Sequence, residues 1–475
     1  MASLPEIRVF AGDAVGRLKV LYTQSKRYDT MEVPGCKYGA GAACQLLACS
    51  MLATEPPICV IALARKNGIV DIIRVPSGDE QEQAGELLGT VREERMRVGV
   101  ERWVGLQLTK TYVDGTYRSG LVSCTSGGFF RYVPLTELLN GETTPEAWAS
   151  SAITWTVPSP LHHVAFYPPR SDTPTHFAYG GEQVPLSIWS LAKALESAQQ
   201  PVQPEPSEEP SSGHTGSKRS ASSKSSKGRG LLPGELWRAK NLPNDHLSLP
   251  RPPLIRTLAF APTDAVADDE LKGMRIYAGT KDGIVRVYEP AQKPRPIHEW
   301  QVGAKEQGSL RVLHLCASEQ ILLAGDTSRR LSAVDLSTGR VLFQYKDITG
   351  TLSDVLTVQD AQAQRTLVLS ASLDHLVRLC DLGEPYGERQ RRRGQVLEQY
   401  FTGADHAVAL ALDPHQSPAP VEEASDDEEG VWDTMAVVGE KVSETSAPDD
   451  DDDDDDSDAA RADARRAEKR HRRDP

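Results

Sequence analysis

Residue types that support catalysis or metal binding occur in this sequence, but their spacing does not form a recognisable site. The seven cysteines are never spaced Cys-x-x-Cys, and four lie inside apolar runs. This pattern predicts buried free thiols in a reducing compartment, without a disulfide framework or zinc cluster. His162 and His163 are adjacent in an apolar run, and metal binding would require a third ligand that the sequence does not show. We therefore predict a packed or hydrogen-bonded strand pair here, and no catalytic residue, metal or cofactor.

The segment 236–253 is the strongest candidate for a binding site. It is polar, rich in proline and longer than a simple turn requires, and binding residues tend to lie on such irregular loops. Trp237 on one side and prolines on the other limit its freedom, which lowers the ordering cost of binding. The alternative is a structural loop whose Asx turns hold its leucines under the fold. The residues expected to contact a partner, two of which also hold the loop's shape, are Lys240, Asn241, Asn244, Asp245 and Arg251.

Charge is concentrated at the C-terminal end of the chain. Residues 421–460 carry 18 acidic side chains and one lysine, whereas residues 461–475 carry seven Arg or Lys and three acids. Residues 1–420 then have a net charge of −1. Because the acidic charges repel one another in any compact form, we predict a disordered tail over 414–475. Its basic end either balances the aspartates or acts as a nuclear-import signal or RNA contact, through Arg465, Arg466, Lys469, Arg470, Arg472 and Arg473.

The rest of the chain consists of short β-type runs separated by turn residues, which favours a sandwich, barrel or propeller. Residues 61–73 and 276–288 align without a gap and are identical at five of 13 positions. Each is an apolar run, an Asn-Gly or Asp-Gly pair and a second apolar run. Such pairs accept positive φ angles, so we expect tight type I′ hairpin turns. Asp282 and Asp374 lie at these turns, where we expect each to bond to the local backbone.

The same hairpin frame occurs seven times. Residues 192–230, rich in Gln, Pro, Ser and Lys, are predicted to be a disordered insertion within blade four. Without it, successive turns lie 46–60 residues apart, slightly more than the ~40–45 residues of a WD-type blade. Each unit has room for two further strands, which predicts seven four-stranded blades. The turns are centred at residues 16, 68, 128, 184, 283, 329 and 375.

The two ends of the chain are expected to close the ring. The first hairpin begins at about residue 7, so no inner strand precedes it. Residues 396–401 can form the outer strand of blade seven, and residues 407–412 the missing inner strand of blade one. Such closure leaves only short, protected sheet edges. We therefore predict an all-β, seven-bladed WD-type β-propeller over residues 1–413.

The 236–253 segment resembles the signature of the ribosome-biogenesis WD-repeat proteins first named as Nop-seven-associated factors. That signature is roughly Trp-x-Ala-Lys-Asn-x-x-Asn-Asp-x-Leu-x-Leu followed by a proline. Residues 177–189, 347–350 and 373–378 are also similar to this family, with departures at Pro185 and His375. The residues that match the signature are Trp237, Ala239, Lys240, Asn241, Asn244, Asp245, Leu247, Leu249 and Pro253.

This resemblance implies a non-catalytic propeller scaffold in the nucleus and nucleolus, acting in large ribosomal subunit biogenesis and rRNA processing. Its partners would be the large-subunit pre-ribosomal particle, with its assembly factors and pre-rRNA, and an AAA-type ATPase that releases it. No small-molecule substrate is expected, and no apolar run approaches the ~18 residues needed to cross a membrane. The alternative is a WD-repeat adaptor in a signalling or ubiquitin-ligase complex.

Overall fold

The structure is a computed structural model in which the chain divides into residues 1–417 and 418–475. The second unit, and with it the basic residues 465–473, lies outside the described residues. No described helix is long and apolar enough to span a membrane. The described residues are 5–52, 57–76, 84–113, 116–139, 149–199, 230–244, 246–261, 271–303, 308–316, 320–360, 365–383 and 394–414.

The described part of the chain forms a seven-bladed β-propeller, as the hairpin repeat predicted. Each blade is a four-stranded antiparallel sheet, and its strands are named below from the innermost to the outermost. Blade one contains β28 (Ala407–Leu412), β1 (Arg8–Asp13), β2 (Leu18–Tyr22) and β3 (Arg27–Met31). Blade two contains β4 (Cys44–Leu52), β5 (Ile58–Arg65), β6 (Ile69–Val75) and β7 (Glu86–Arg92). Blade three contains β8 (Trp103–Val113), β9 (Thr116–Thr125), β10 (Phe129–Pro134) and β11 (Ile153–Thr156).

The remaining blades follow the same order. Blade four contains β12 (Leu161–Tyr167), β13 (His176–Gly181), β14 (Ser187–Ser190) and β15 (Glu235–Arg238). Blade five contains β16 (Ile255–Phe260), β17 (Ile276–Thr280), β18 (Ile284–Tyr288) and β19 (His298–Gln301). Blade six contains β20 (Leu310–Cys316), β21 (Ile321–Asp326), β22 (Leu331–Asp335) and β23 (Val341–Gln344). Blade seven contains β24 (Leu352–Asp360), β25 (Arg365–Ser372), β26 (Leu376–Asp381) and β27 (Val396–Phe401).

The hairpin between the second and third strands recurs in every blade, but the predicted type I′ turn is wrong. Asn67 does not adopt a positive φ; only Gly68 after it does, and its N–H donates to the Arg65 carbonyl at 3.0 Å. The three-residue loop is therefore a type I turn followed by one left-handed residue. Asn67 Oδ1 accepts the N–H of Ile69, which holds the asparagine in the turn. The left-handed residues of the seven blades are Gly16, Gly68, Gly128, Gln183, Gly283, Arg329 and His375.

The ring closes through β28, as predicted. β28 pairs antiparallel with β1, and the inner strands of successive blades contact one another in a complete circle. A buried ion pair joins Arg8 to Asp413 at 3.3 Å, and Lys19 Nζ donates to the Thr402 carbonyl at 2.8 Å. The C-terminal end of the described chain thus completes the sheet of blade one.

The core is divided among the interfaces between blades. Seven clusters of buried apolar residues are present in the described part of the chain, one at each interface between neighbouring blades. A central strand therefore packs on both faces, and all eight residues of β5 are buried. This explains why the central strands read as continuous apolar runs without alternation.

Among the described residues, helices α1 (Thr136–Leu139) and α2 (Leu191–Gln199) lie outside the sheets, with short 3-10 turns at Ala40–Ala42 and Ala149–Ser151. Helix α2 corrects the predicted start of the disordered insertion at residue 192. Leu191, Ala194 and Leu195 are buried in the cluster between blades three and four. Their spacing places them on one helical face, and the Ala- and Leu-rich segment has high helix propensity. Residues 200–229 lie outside the described part of the chain.

Candidate functional site at the turn rim of the propeller

The seven inner strands surround a central channel with a cavity of about 730 Å³. Each inner strand carries a β-bulge at the same place. In blade two, Cys44 pairs with Arg65 and Leu46 with Ala64, so that Gln45 is the additional residue. A bulge re-aims the side chain of its extra residue, and all seven of these residues line the channel. This bulge ring consists of Gln45, Val104, His162, Arg256, Arg311, Ser353 and Val408.

The bulge ring lies at the end of the channel that carries the hairpin turns. In six blades, a residue of the turn donates its backbone N–H to the carbonyl of a residue that precedes the inner strand. The turns and the starts of the inner strands therefore share one rim, which we call the turn rim. These donor–acceptor pairs are Ala14–His406, Lys66–Ala43, Ser126–Arg102, Lys281–Leu254, Thr327–Ser309 and Leu373–Thr351.

Cationic side chains occupy one side of the channel mouth. The Nη2 atom of Arg102 lies 3.2 Å from Nδ1 of His162, and Nη1 of Arg256 lies 3.3 Å from Nε2 of the same ring. Arg311 and Lys281 line the mouth beside them, in blades six and five. None of these four cations forms an ion pair with another described residue. We call Arg102, Arg256, Arg311 and Lys281, together with His162, the basic arc.

His162 is the neutral member of the basic arc. Burial, together with the charges of Arg256 and Arg102, lowers the pKa of His162 to about 4, although Glu182 lies 3.7 Å away and acts in the opposite direction. Burial also lowers the pKa of His163 to about 4, and its Nδ1 accepts the N–H of Leu258 at 3.3 Å. The predicted packed or hydrogen-bonded strand pair is confirmed. No group of three or more potential metal ligands occurs among the described residues.

The opposite end of the channel is crossed by the loop between β12 and β13. Arg170 of this loop donates to the Thr357 carbonyl at 3.0 Å and contacts His314 Nε2 at 3.0 Å, so that it reaches blades six and seven. Asp172 of the same loop accepts from Ser50 at 2.8 Å and pairs with Lys110 at 3.4 Å, in blades two and three. The channel is therefore a recess that is entered from the turn rim.

The loop 239–254 between blades four and five ends at the turn rim, where the Pro253 carbonyl accepts the N–H of Gln183 in the blade-four turn. Its start is held by blade five. The N–H of Lys240 donates to the Pro294 carbonyl at 2.7 Å, and Arg295 Nε donates to the Asn241 carbonyl at 3.2 Å.

The structure brings together three of the residues that the sequence singled out in this loop. Lys240, Asn241 and Arg251 are exposed and line one small recess. Asn244 donates to the Ser248 carbonyl at 3.0 Å, which agrees with its predicted role in the loop's shape. Asp245 lies outside the described residues.

The alternative interpretation, in which the loop packs its leucines under the fold, does not hold for two of them. Leu247 is 65% exposed and Leu249 is 55% exposed. The anchor is instead Trp237 in β15, which is 9% exposed and meets the Tyr288 ring edge-on at a centroid distance of 6.1 Å. The loop thus presents apolar and cationic side chains to solvent from a fixed base.

The turn residue Asp374 bonds to more than its local backbone. Its carboxylate accepts the N–H of Leu376, as predicted, and also those of Thr349 and Gly350 at 3.1 Å. It pairs with the buried Arg378 at 2.7 Å. Although burial acts against it, hydrogen bonds from Arg378, Ser372 and Thr349 hold the pKa of Asp374 well below its usual range. This network fixes the entry to blade seven and is a structural site. Asp282 is exposed at its turn.

The cysteines agree with the predicted free thiols, with a correction in their burial. No disulfide joins any of the seven, and five are buried, whereas Cys36 and Cys49 are only partly buried. Cys49 Sγ lies 3.5 Å from the Sγ of Cys59 on the neighbouring strand. Burial raises the pKa of the Cys36 thiol to about 11, with a further contribution from Asp71.

Comparison with known proteins defines no family for this chain. No family model matches the sequence, and the comparison with curated proteins returns no match. A solved structure of the computationally designed Ika8 protein is 13% identical, with 86% of this chain and 89% of that chain covered and a TM-score of 0.45. The strand pairing itself defines the fold: the described part of the chain is a seven-bladed β-propeller.

The basic arc was missed from the sequence, although a signal for it exists. Three inner strands carry a cationic residue or histidine at their second position, within an apolar run: His162, Arg256 and Arg311. Each alone reads as a half-buried strand residue. Only the ring and its bulges show that these positions converge on one opening.

Proposed function

We propose that this propeller is a scaffold in the biogenesis of the large ribosomal subunit, docking on nucleolar pre-ribosomal particles through its turn rim. The proposal draws its ribosomal assignment from the sequence signature in the 236–253 segment. The observation that carries the proposal is that this segment is both exposed and held in place. Its cationic and leucine side chains are exposed, while its backbone is hydrogen-bonded to blade five.

A fixed, exposed loop suits docking for energetic reasons. Ordering a flexible segment on binding costs free energy, and a loop that is already held loses less. Leu247 and Leu249 offer apolar area, which drives association, and Lys240 and Arg251 offer charge to an acidic partner or phosphate. In the proposed function, assembly factors and pre-rRNA are the partners, and an AAA-type ATPase releases the scaffold.

The test is a Lys240→Glu, Arg251→Glu double variant, compared with wild type for co-sedimentation with large-subunit precursors and for thermal melting. We expect a normal melting temperature and loss of co-sedimentation, because both side chains are exposed and their charge is reversed. A matched control is the double charge reversal Lys272→Glu, Arg340→Glu. Both control residues are exposed, on loops at the opposite rim.

Retained co-sedimentation of the Lys240, Arg251 variant would make the loop a structural element only. If wild type itself does not sediment with large-subunit precursors, the ribosomal assignment fails, whatever the loop does. Equal loss in the control variant would show a general charge effect and no specific docking surface.

The basic tail supports the same proposal at the level of localisation. Removing residues 461–475 takes away the cationic cluster that the sequence predicts to be a nuclear-import signal or RNA contact. We expect lower nucleolar accumulation of the truncated protein by fluorescence microscopy. Unchanged accumulation would favour the counter-charge interpretation, or a second signal that includes Lys218 and Arg219.

The second candidate function, an adaptor in a signalling or ubiquitin-ligase complex, is favoured by a different observation. The basic arc at a recessed channel mouth is the kind of surface that receives an anionic segment of a client protein. Sedimentation separates the two functions, because an adaptor would not travel with ribosomal precursors.

A further inference from the structure

We infer that the basic arc at the turn rim is a binding site for a phosphorylated serine or threonine side chain, presented on an extended segment of a partner protein. This inference does not depend on the ribosomal assignment, because it rests on the channel mouth alone.

The positive charge of the basic arc has no counter-charge paired with it among the described residues. Arg102, Arg256, Arg311 and Lys281 converge on one side of the mouth without an ion-pair partner among the described residues. Guanidinium groups carry several N–H donors, and the neutral His162 ring offers only one acceptor nitrogen to two of them. The carboxylate nearest to the ring, that of Glu182, lies 3.7 Å from it and its side chain is 44% exposed. Most donor capacity of the arc is therefore available to an incoming anion.

The guanidinium groups of Arg102 and Arg256 lie close to the same atom of the His162 ring. Arg102 Nη2 lies 3.2 Å and Arg256 Nη1 lies 3.4 Å from its Nδ1 atom. Because both nitrogens approach one atom this closely, a single phosphate placed beside the ring can accept from both guanidinium groups. A phosphate monoester carries a charge of about −1.5 to −2 at neutral pH and three strong acceptor oxygens. Bidentate arginine–phosphate pairs are among the strongest hydrogen bonds that proteins form.

The side chains that line the mouth fit a phosphorylated protein better than RNA. Single-stranded nucleic acid is bound by a cationic groove that follows several phosphates, with aromatic rings on which bases stack. Trp103 is the aromatic side chain lining the described mouth, apart from the histidines; it is 3% exposed, and its indole N–H donates to the Arg65 carbonyl at 2.8 Å. The cations also cluster at one point. The arc therefore fits one concentrated charge and offers no platform for bases.

The shape of the recess suits a single side chain that carries a phosphate. The channel holds about 730 Å³ and is crossed at its far end by the loop that carries Arg170. This volume is that of a typical small-ligand site. A side chain and its phosphate can enter it, with the flanking peptide lying across the turn rim, whereas a folded RNA helix cannot.

The experiment measures binding of the full-length protein to a degenerate peptide library with a fixed central phosphoserine, by fluorescence anisotropy. Matched libraries carry serine or glutamate at that position, and an oligouridine strand provides the RNA arm. We expect the phosphoserine library to bind at least about tenfold more tightly than the serine library, in keeping with a charge-assisted bidentate contact. Glutamate and oligouridine should bind more weakly than phosphoserine.

Arg102→Gln, Arg256→Gln and Arg311→Gln, singly and together, should reduce the preference for phosphoserine, and the triple variant should bring it to within about twofold of serine. Arg340→Gln, an exposed arginine on the opposite rim, is the control and should keep the preference. The single Arg311→Gln variant keeps the test valid if the triple variant does not fold, because Arg311 is exposed.

A second readout reports the site directly. Titration with inorganic phosphate should shift the ring resonances of His162 in the NMR spectrum, assigned with a His162→Gln variant, and the shift should disappear in the triple variant. Equal binding of phosphoserine and serine libraries, or a preference that survives the triple variant, would overturn the inference. Tighter binding of oligouridine that is lost in the triple variant would assign the arc to RNA and overturn it as well.

Discussion

At the scale of single residues, the β-bulge decides which side chains face the channel. Successive residues of a regular strand point to opposite faces of their blade. On either face, the side chain meets the apolar surface of a neighbouring blade. The bulged residue escapes this alternation. His162, Arg256 and Arg311 can be polar within apolar strands for this reason, since each leaves the blade interface for the channel mouth.

Asp354, two residues into the inner strand of blade seven, provides a pH-dependent test of the channel. Its carboxylate accepts the N–H groups of Val355 and Leu410 at 2.8 Å, and burial raises its pKa to about 6. The folded state therefore holds this proton more tightly than the unfolded state, whose aspartate pKa is about 3.9. The group's contribution to stability is greatest below about pH 4 and is lost as the pH rises through about 6.

We expect the stability of Asp354→Asn relative to wild type to rise by about 1–3 kcal/mol between pH 4 and pH 7, then to remain level. Using the difference between the two proteins cancels the opposite pH dependence of His162 and His163, whose pKa values are lowered. Denaturant unfolding across this pH range measures the difference in free energy of unfolding, and Asp282→Asn is the control for loss of an exposed carboxylate. A difference that does not change with pH would contradict the raised pKa of Asp354.

At the scale of elements, the boundary of the blade-four insertion depends on a helix that composition obscured. Residues 191–199 are Ala- and Leu-rich, but they precede a long run of Pro, Gln, Ser and Lys. The helix exists because its apolar stripe covers the interface between blades three and four. Isolated helices of this length are marginal in water, so packing supplies its stability.

Mutations of buried residues in helix α2 should therefore lower the stability of the propeller, whereas replacement of the segment after it should not. Leu195→Ala should lower the free energy of unfolding by about 2–4 kcal/mol, because it removes buried methyl groups from a packed interface. Glu196→Ala, on the exposed side of the same helix, is the matched control and should change it by less than about 0.5 kcal/mol.

Replacing residues 200–229 by a Gly/Ser linker should leave the melting temperature unchanged, as the sequence predicts for a segment without a packable strand. Loss of the cooperative transition in this deletion, or equal stability of Leu195→Ala and wild type by denaturant melting, would show that the boundary is misplaced.

At the scale of the whole molecule, the C-terminal strand closes the ring. β28 supplies the inner strand of blade one, and Leu410 packs with Val9 and Leu369 in the cluster between blades one and seven. A chain that ends at residue 404 lacks this strand and exposes the edge of β1 as well as the cluster. Exposed edges of this kind pair with other chains.

We expect the chain ending at residue 404 to lose its cooperative melting transition and to aggregate, as measured by circular dichroism and light scattering. The chain ending at residue 417 retains β28 and should melt like the full-length protein. The point variant Leu410→Asp buries a charge where the ring closes, so its thermal stability should lie between those of the two truncated chains. A stable, monomeric product ending at 404 would mean that the ring does not depend on this strand.

The sequence alone determined the architecture, because a propeller repeats one local unit. A hairpin depends on residues close in the chain, so Gly16, Gly68, Gly128 and Gly283 mark their turns without knowledge of the rest. The count of these turns defined seven blades, and the unpaired runs at the two ends defined the closure. The exposed loop that starts at Lys240 was also visible, because its length and polarity are local properties.

Only the tertiary structure showed the basic arc, the helix boundary and the exposed leucines of the loop. Arg102, Arg256 and Arg311 are far apart in sequence and belong to blades three, five and six. Their convergence is set by the closed ring, and no local pattern encodes it. Likewise, Leu195 is buried and Leu247 is exposed. The residue type is the same, and what differs is whether a neighbouring blade lies within reach to remove the side chain from water.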